Sequence, residues 1–259
     1  MTEAKTKSKP AATRQDVPTS GRKQTGKSII SEALAKEMLK AGVHFGHKKS
    51  RWNPKMKPYI FGLRNNIYII DLEKTMEHLG KALDFIKDII KNKGKILFIG
   101  TRPQSQSLVE EAAKNCKMPY VVLRWVGGLL TNFGIIRKRV EHLIDLEKKK
   151  ASGELKKYTK REQQNIDEEI QKLKKKFEGI KELEKLPEAI LVLSIKEQTT
   201  AIKEAKKKNI PVIGLVDTDS DPSLIDYPIP SNDDAISALK FMLSKIEDSI
   251  FKSKIKNKK

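Results

Sequence analysis

Apolar residues recur along this chain with two different periods, and their alternation predicts the architecture. Short apolar runs bounded by Gly, Pro or Lys are typical of buried strands, whereas steps of three and four residues predict helices. The predicted strands are Lys95–Gly100, Tyr120–Leu123, Ala189–Leu193, Pro211–Leu215 and a short Tyr227–Ile229. The predicted helices around them are Thr75–Asn92, Pro103–Asn115, Gln198–Lys207 and Asp233–Ser249. This order indicates an α/β protein with a parallel sheet and helices on both of its faces.

Ahead of this sheet, the pattern predicts a short helix and a β-hairpin. The predicted elements are a helix over Glu32–Lys40, capped by Ser31 and ended by Gly42, and two strands, Tyr59–Leu63 and Ile67–Ile70, joined by a turn at Arg64–Asn66. Residues 43–58 lie between helix and hairpin and are polar, basic and aromatic, with two prolines. They are interpreted as a loop.

A different arrangement is predicted for residues 133–186. Apolar residues recur there at steps of three and four, at Phe133, Ile136, Val140 and Leu143 and then at Ile166, Ile170, Leu173, Phe177 and Ile180. A polar turn near Ala151–Lys160 separates the two series, so the segment predicts an antiparallel helical hairpin with a narrow apolar seam. Its other faces are dense in Lys and Glu, which we interpret first as a solvated surface.

The resulting domain organisation has four parts. A basic tail, 1–28, is expected to be disordered because it holds almost no large apolar residue. An α/β domain covers 29–132 and 187–249, the helical hairpin is inserted at 133–186, and a second basic tail covers 250–259.

The charge balance restricts the partners. Among 259 residues, 53 Lys and Arg stand against 33 Asp and Glu, a net charge of +20. Such a field attracts polyanions, with nucleic acid as the first expectation and an anionic membrane surface as the second. The single cysteine, Cys116, excludes an internal disulfide and fits a reducing compartment, and no apolar run approaches a membrane span. The expected location is the cytoplasm.

Three motifs offer other chemistry, and each has a weakness. Gly21–Ser28 matches the phosphate-loop pattern G-x-x-x-x-G-K-[ST], but the preceding Ala11–Ser20 contains no strand to position it. Thr101–Pro103 follows a predicted strand without the glycines of a dinucleotide site. The aspartates between Asp217 and Asp234 could hold a cation or act as turn and helix caps, and caps are favoured. No metal, cofactor or catalysis is predicted.

Two segments combine the residue types that bind RNA. Val43–Lys57 interleaves lysine, arginine and histidine with Phe45 and Trp52, and cations with flat rings suit an RNA backbone and its bases. Trp52 is equally suited to a core position. The second segment, Arg124–Asn132, contains two adjacent glycines that would let an RNA backbone come close.

These segments together resemble the ribosomal protein S-two family of the bacterial small subunit. The matching motifs are A-G-V-H-F-G-H-K-x-x-x-W-N-P-K-M (Ala41–Met56), N-x-I-Y-I-I-D-L-x-K-T (Asn65–Thr75), I-G-T-R-x-Q (Ile99–Gln104), R-W-x-G-G-x-L-T-N (Arg124–Asn132), D-T-x-x-D-P (Asp217–Pro222) and P-x-N-D-D (Pro230–Asp234). They occur in order over roughly residues 30–250. The long basic N-terminal tail departs from the family pattern.

The resemblance implies a flavodoxin-like sheet with an inserted coiled-coil hairpin. It also implies a non-catalytic constituent of the small ribosomal subunit, seated on the solvent side between head and body. Its partners would be small-subunit rRNA and other ribosomal proteins, including the large mRNA-binding protein S-one, with no membrane, cofactor or small-molecule substrate. The predicted RNA-binding residues are His44, His47, Lys48, Lys49, Arg51, Trp52, Asn53, Lys55, Lys57, Arg64, Arg102, Gln104, Arg124, Trp125, Thr131, Asn132, Arg137 and Lys138.

Overall fold

A computed structural model describes the chain from residue 26 to residue 256. Its helices are α1 (Gly26–Ala41), α2 (Leu72–Lys91), α3 (Pro103–Cys116), α4 (Phe133–Ala151), α5 (Lys160–Phe177), α6 (Thr199–Lys207) and α7 (Ile236–Lys256). Its strands are β1 (Phe45–Lys48), β2 (Ile60–Arg64), β3 (Ile67–Ile70), β4 (Ile96–Ile99), β5 (Tyr120–Val121), β6 (Ala189–Val192), β7 (Val212–Val216) and β8 (Tyr227–Pro230).

Five of these strands form the predicted parallel sheet. Their spatial order is β5-β4-β6-β7-β8, and each neighbouring pair is parallel. Counted within the sheet, this order is 2-1-3-4-5, which is consistent with a flavodoxin-like fold. Every residue of β4, β6 and β7 is buried. The predicted α/β class is therefore confirmed, with the strand positions matching the apolar runs to within one or two residues.

Alternate residues of the central strands contribute to two separate cores, because successive side chains of a strand point to opposite faces. Phe98 and Leu191 pack in the core that also holds the buried faces of α2, α3 and α7. Leu97 and Ile190 pack in the other core, with α6 and the apolar residues of α4 and α5. Helices therefore cover both faces of the sheet, as the continuous apolar runs predict.

The predicted β-hairpin is present, and a third strand joins it. Strands β2 and β3 meet at Asn65 and Asn66, whose φ angles are +49° and +63°. Two positive φ angles in a two-residue turn are what a type I′ hairpin requires, and Asn tolerates them. Strand β1 pairs with β3 on its other side. The expectation of a loop over 43–58 is wrong for this stretch, because the edge of β3 was available for pairing.

Both terminal helices of the described chain are longer than predicted. Helix α1 begins at Gly26, so Ser31 lies within the helix and is not its N-cap. Its end is as predicted, since Gly42 has a φ of +76° and the N–H groups of Gly42 and Val43 donate to the carbonyls of Leu39 and Met38.

Helix α7 continues to Lys256, past the predicted end at Ser249 and into the segment expected to be a tail. Ile250 is fully buried, and α7 packs against α2 and α3, so tertiary contacts extend the helix.

Helices α4 and α5 contact each other along the predicted apolar positions. Val140, Leu143, Ile170 and Phe177 are buried in the same core. Ion pairs join Lys150 to Asp167 at 2.7 Å, near one end of the pair, and Lys174 to Glu147 at 2.9 Å further along. Residues late in α4 thus meet residues early in α5, so the two helices run in opposite directions.

The predicted tails fall mostly outside the part of the chain that the structure describes. Residues 1–25 and 257–259 are outside it, including the first five residues of the phosphate-loop match at Gly21–Ser28. Gly26, Lys27 and Ser28 belong to the first turn of α1. Among the helices between residues 26 and 256, none is both long and apolar enough to cross a bilayer.

We predict that Gly46→Ala destabilises the fold by about 1–3 kcal/mol, because overpacking displaces fixed neighbours. A Cβ atom on Gly46 would lie 2.5 Å from Cγ2 of Thr218 and 3.0 Å from the carbonyl oxygen of Tyr68. Urea unfolding would measure the loss. Gly62→Ala is the matched control in the same small sheet, since its Cβ would meet no atom within 4 Å. Equal stability of the two variants would contradict the close contact.

Candidate nucleic-acid interface

The carboxyl ends of the five parallel strands share one edge of the sheet, and charged side chains collect there. In open α/β sheets this edge holds the crevice where ligands bind. Arg102 follows β4, Glu197 follows β6, Asp217 follows β7, and Asp233 and Asp234 follow β8. The sheet topology therefore brings the motif at Ile99–Gln104 together with the aspartates of the motifs at Asp217–Pro222 and Pro230–Asp234.

Arg102 occupies this crevice through contacts with the protein's own carboxylates. Its Nη1 lies 3.0 Å from Oδ1 of Asp233 and 2.6 Å from Oδ1 of Asp234, and its Nε donates to Oε1 of Glu197 at 2.7 Å. The side chain is only 12% exposed. Arg102, predicted to meet RNA, is thus engaged within the protein, where its guanidinium is paired with three carboxylates.

His47 extends the same network from β1. Its Nδ1 lies 3.1 Å from Oδ1 of Asp217, and its Nε2 lies 3.2 Å from Oδ2 of Asp234. The contact with Asp217 outweighs burial and raises the pKa of His47 to about 9, so the ring is charged at neutral pH. Burial raises the pKa of Asp233 to about 7, helped by Asp217 and opposed by Arg102.

The first basic segment is held onto the loop after β7 by further bonds. Backbone N–H groups of His47 and Asn53 donate to Oγ1 and to the carbonyl oxygen of Thr218, both at 2.7 Å. Nζ of Lys55 donates to Oδ2 of Asp221 at 2.6 Å. Asp221 also caps the short 3-10 helix Pro222–Leu224. Thr218 was not predicted to matter, because a threonine in an acidic run carries no signal of a partner 171 residues away.

Other members of the aspartate cluster have basic partners as well. Asp219 accepts a hydrogen bond from Nζ of Lys196 at 3.0 Å. The side chain of Asn232 accepts from the N–H groups of Asp234 and Ala235, ahead of α7. Across residues 26–256, no group of three or more histidine, cysteine or acidic side chains is arranged to hold a metal ion. The favoured interpretation as caps is confirmed for Asp221, and ion pairs account for Asp219.

The remaining cations of the first segment point into solvent. Lys48, Lys49, Arg51 and Lys57 are exposed, and none forms an ion pair with another described residue. We call these four side chains the free cations. They are interspersed with the engaged His47 and Lys55, so strand β1 and two 3-10 turns, Lys49–Arg51 and Pro54–Tyr59, divide a single basic motif into anchoring and solvent-facing residues.

The aromatic rings of this segment are paired with neighbouring rings and remain partly exposed. Trp52 is partly buried, with its ring centroid 5.0 Å from that of Tyr68. His44 stacks at 4.0 Å on Phe45, and burial lowers the pKa of His44. Trp52 is thus packed against Tyr68 and partly exposed, and it does not belong to either buried core.

The second basic segment is folded around a buried carboxylate, that of Glu204 in α6. Its Oε1 accepts hydrogen bonds from Nε1 of Trp125 at 3.0 Å and from the N–H of Gly128 at 2.8 Å. Its Oε2 accepts from the N–H groups of Leu130 and Thr131, at 3.1 and 3.2 Å, and from Oγ1 of Thr131 at 3.2 Å. The loop from Trp125 to Thr131 therefore wraps one anion.

Glu204 is only 9% exposed and ionised without a cationic partner among the described residues. Burial opposes ionisation, but the hydrogen bonds from Trp125, Gly128, Thr131 and Leu130 outweigh it and hold the pKa of Glu204 below its ordinary value. Sequence reasoning missed this residue, since a glutamate in a Lys-rich helix looks like surface charge. The loop that it organises places Arg124 in solvent.

The other predicted binding residues also divide into those that are exposed and those that are buried or bonded within the protein. Arg64, Asn132 and Lys138 are exposed. Gln104 is partly buried at the start of α3. Arg137 donates from Nη1 to the carbonyl oxygens of Lys181 and Leu183 at 3.0 and 3.3 Å, so it ties α4 to the segment after α5.

We predict that the contribution of His47 to stability disappears as pH rises. Its folded pKa of about 9 lies above the ordinary 6.5, so the contribution is complete below pH 6.5 and lost through pH 9. His47→Gln should lower the free energy of unfolding near pH 6.5 by at most about 3 kcal/mol, and the difference should shrink towards pH 9.5. Urea unfolding across this range would measure it. His142→Gln, an exposed histidine, is the control, and a pH-independent difference for His47→Gln would contradict the ion pairs.

We predict that Glu204→Gln destabilises the protein by about 2–4 kcal/mol, because an amide cannot accept all five hydrogen bonds and turns a donor towards donors. Urea unfolding followed by circular dichroism would measure the loss, and Trp125 emission should shift towards that of a solvated indole. Glu184→Gln changes an exposed glutamate in the same way and should alter neither. Unchanged stability of Glu204→Gln would be inconsistent with a loop built around this carboxylate.

Comparison with known proteins agrees with this arrangement. The sequence profile described as Ribosomal protein S2 matches residues 38–253. Similar proteins named small ribosomal subunit protein uS2 occur in Dictyoglomus thermophilum, 46% identical over 225 residues, covering 87% of this chain and 92% of the relative, and in Coprothermobacter proteolyticus, 46% over 219 residues, covering 85% and 82%. A third, from Dehalococcoides mccartyi, is 45% identical over 218 residues, covering 84% and 89%. The profile match spans both basic segments and the network between them, and the chain belongs to the ribosomal protein S2 family.

Proposed function

We propose that this protein is a non-catalytic constituent of the small ribosomal subunit that binds small-subunit rRNA. The observation that carries the proposal is the division of the basic motif Val43–Lys57 within a chain of this family. Its anchoring residues bind the sheet, and its free cations face solvent on a rigid support. Because their backbone is already ordered, these cations can meet the phosphates of a folded RNA without a further loss of backbone entropy.

The predicted binding residues then have two roles. The free cations Lys48, Lys49, Arg51 and Lys57, together with Arg64, Arg124 and Lys138, are proposed to contact RNA. His47, Lys55, Arg102 and Arg137 are proposed to be positioning residues, because carboxylates or carbonyls of the protein already satisfy them. Trp125 and Thr131 are also positioning residues, since their polar hydrogens bind Glu204.

The proposal extends to the domain organisation. Helices α4 and α5 would form a coiled-coil hairpin, inserted at 133–186 into a domain of 29–132 and 187–249. Opposed helix direction and a shared apolar seam support this division. The basic tails, 1–28 and 250–259, would add non-specific attraction to RNA, although the second is continuous with α7 as far as Lys256.

The partners follow from the same proposal. They would be small-subunit rRNA and neighbouring ribosomal proteins, including the large mRNA-binding protein S-one, and the site of action would be the cytoplasmic ribosome. The names of the relatives support the small subunit as the assembly. A nucleotide-dependent enzyme is the weaker candidate, because the carboxylates at the strand ends would repel a nucleotide phosphate and the guanidinium of Arg102 is already paired with them.

We predict that the full chain sediments with the small ribosomal subunit at low salt and is released at high salt, since phosphate contacts are lost as counterions compete. Gradient centrifugation of lysate at two salt concentrations, probed for this chain, would measure the distribution. A chain found only among free proteins at low salt would contradict the proposal.

We predict that Lys48→Gln, Lys49→Gln and Arg51→Gln together weaken rRNA binding and lower the slope of log affinity against log salt by about 2–3, from roughly 0.7–0.9 per phosphate contact. Filter binding at several salt concentrations would measure both. Lys81→Gln, Lys87→Gln and Lys114→Gln remove the same charge from lysines paired with Glu77, Asp84 and Glu110. Equal losses in the two variants would mean that net charge alone is responsible.

A further inference from the structure

A groove lies between the loop after β5 and the C-terminal part of α5. Its cavity is about 570 Å³ and is lined by five cations, Arg124, Arg139, Lys172, Lys175 and Lys176. We call it the lateral groove. Its floor is apolar, with Leu123, Trp125 and Phe177. Only Arg124 among these cations was predicted as a binding residue, because the other four sit in helices whose Lys and Glu content suggests an ordinary solvated surface.

Four of the five cations of the lateral groove have no acidic partner within ion-pair distance in the part of the chain that the structure describes. Arg124, Arg139, Lys175 and Lys176 form no ion pair with any described residue, and Lys172 approaches Glu168 only to 3.6 Å. Elsewhere in the same two helices, Lys150 and Lys174 pair at 2.7 and 2.9 Å. The positive charge of the groove is therefore not neutralised by the protein.

The groove is continuous with the strand-end edge of the sheet. Arg124 lines it and also lines two neighbouring depressions, one that contains Glu110, Lys174 and Glu178 and one that contains Thr101, Glu197 and Gln198. Glu204 positions the loop that carries Arg124. The lateral groove therefore adjoins depressions of mixed charge, and its own lining is the basic part of this surface.

The arrangement fits an extended polyanion better than a compact one. The cations come from a loop, from α4 and from α5, so they are spread along the groove and do not converge on one point. Lys172, Lys175 and Lys176 are spaced three and four residues apart and share one face of α5. The exposed side chain of Leu123 and the partly buried ring of Trp125 offer apolar contact for sugars or bases between phosphates.

We propose that the lateral groove is a second RNA-binding surface, which takes a backbone segment of small-subunit rRNA between α5 and the loop after β5. The proposal rests on the function proposed above and adds Arg139, Lys172, Lys175 and Lys176 to the RNA-contacting residues. RNA would then contact both the sheet domain and the helical pair and would fix one against the other.

The test compares two full-length variants that lose the same charge. Arg139→Gln, Lys175→Gln and Lys176→Gln remove three groove cations, and Lys203→Gln, Lys207→Gln and Lys208→Gln remove three exposed lysines of α6 and its C-cap. Filter binding to small-subunit rRNA should show at least a tenfold loss for the groove variant. Its salt slope should fall by about 2–3, and that of the control by less than 1. All six side chains are exposed, so thermal unfolding should show that both variants fold.

A directed cleavage experiment locates the contact. Cys116 is buried, so an iron chelate can be attached selectively to Lys172→Cys or to the control Lys207→Cys. The groove probe should cut rRNA at discrete backbone positions that the control probe does not cut. Retained affinity and slope in the groove variant, or no cleavage from the groove probe, would overturn this proposal alone. The proposal would also be overturned if the groove variant bound rRNA normally but no longer bound a neighbouring ribosomal protein. Failure of the unmodified chain to bind rRNA would overturn the proposed function.

Discussion

A parallel sheet concentrates the loops that follow its strands at one edge, and the charges in those loops must be compensated there. In this protein the loops after β7 and β8 are acidic and the loop after β6 contributes Glu197, and Arg102 and His47 supply the opposite charge. Because both cations come from other parts of the chain, compensation also fixes where those parts lie. The docking of β1 and the basic segment after it depends on this exchange of charge, and so does the position of the Arg102 side chain after β4.

The negative charge of Glu204 is also compensated within the protein, by neutral hydrogen-bond donors and not by cations. A buried carboxylate with no cationic partner requires several hydrogen bonds, and a glycine-rich loop can supply them from its backbone. The loop becomes ordered around the anion, and its basic residue, Arg124, is left outside. In both places an acid inside the protein organises a segment whose remaining bases face solvent.

This arrangement suits the recognition of a folded RNA. A basic surface on flexible segments would lose side-chain and backbone entropy on binding, whereas cations on docked strands and loops are already close to their bound positions. Recognition of RNA shape depends on the relative positions of distant phosphates, which only a rigid support can match. The sheet domain and the helical pair provide two such supports, and the lateral groove lies where they meet.

The sequence alone determined the α/β class, most strand positions and the β-hairpin of β2 and β3. Buried strands and positive-φ turns place local demands on residue type. The motif order also sufficed to indicate the family. It could not divide the basic motif into His47 and Lys55, which anchor, and Lys48 and Lys49, which do not. The partners of His47 and Lys55 lie more than 160 residues away in the sequence. Glu204 was invisible for the same reason. A charged residue has the same local pattern whether it faces water or a distant partner, and only the tertiary structure decides which of the two it meets.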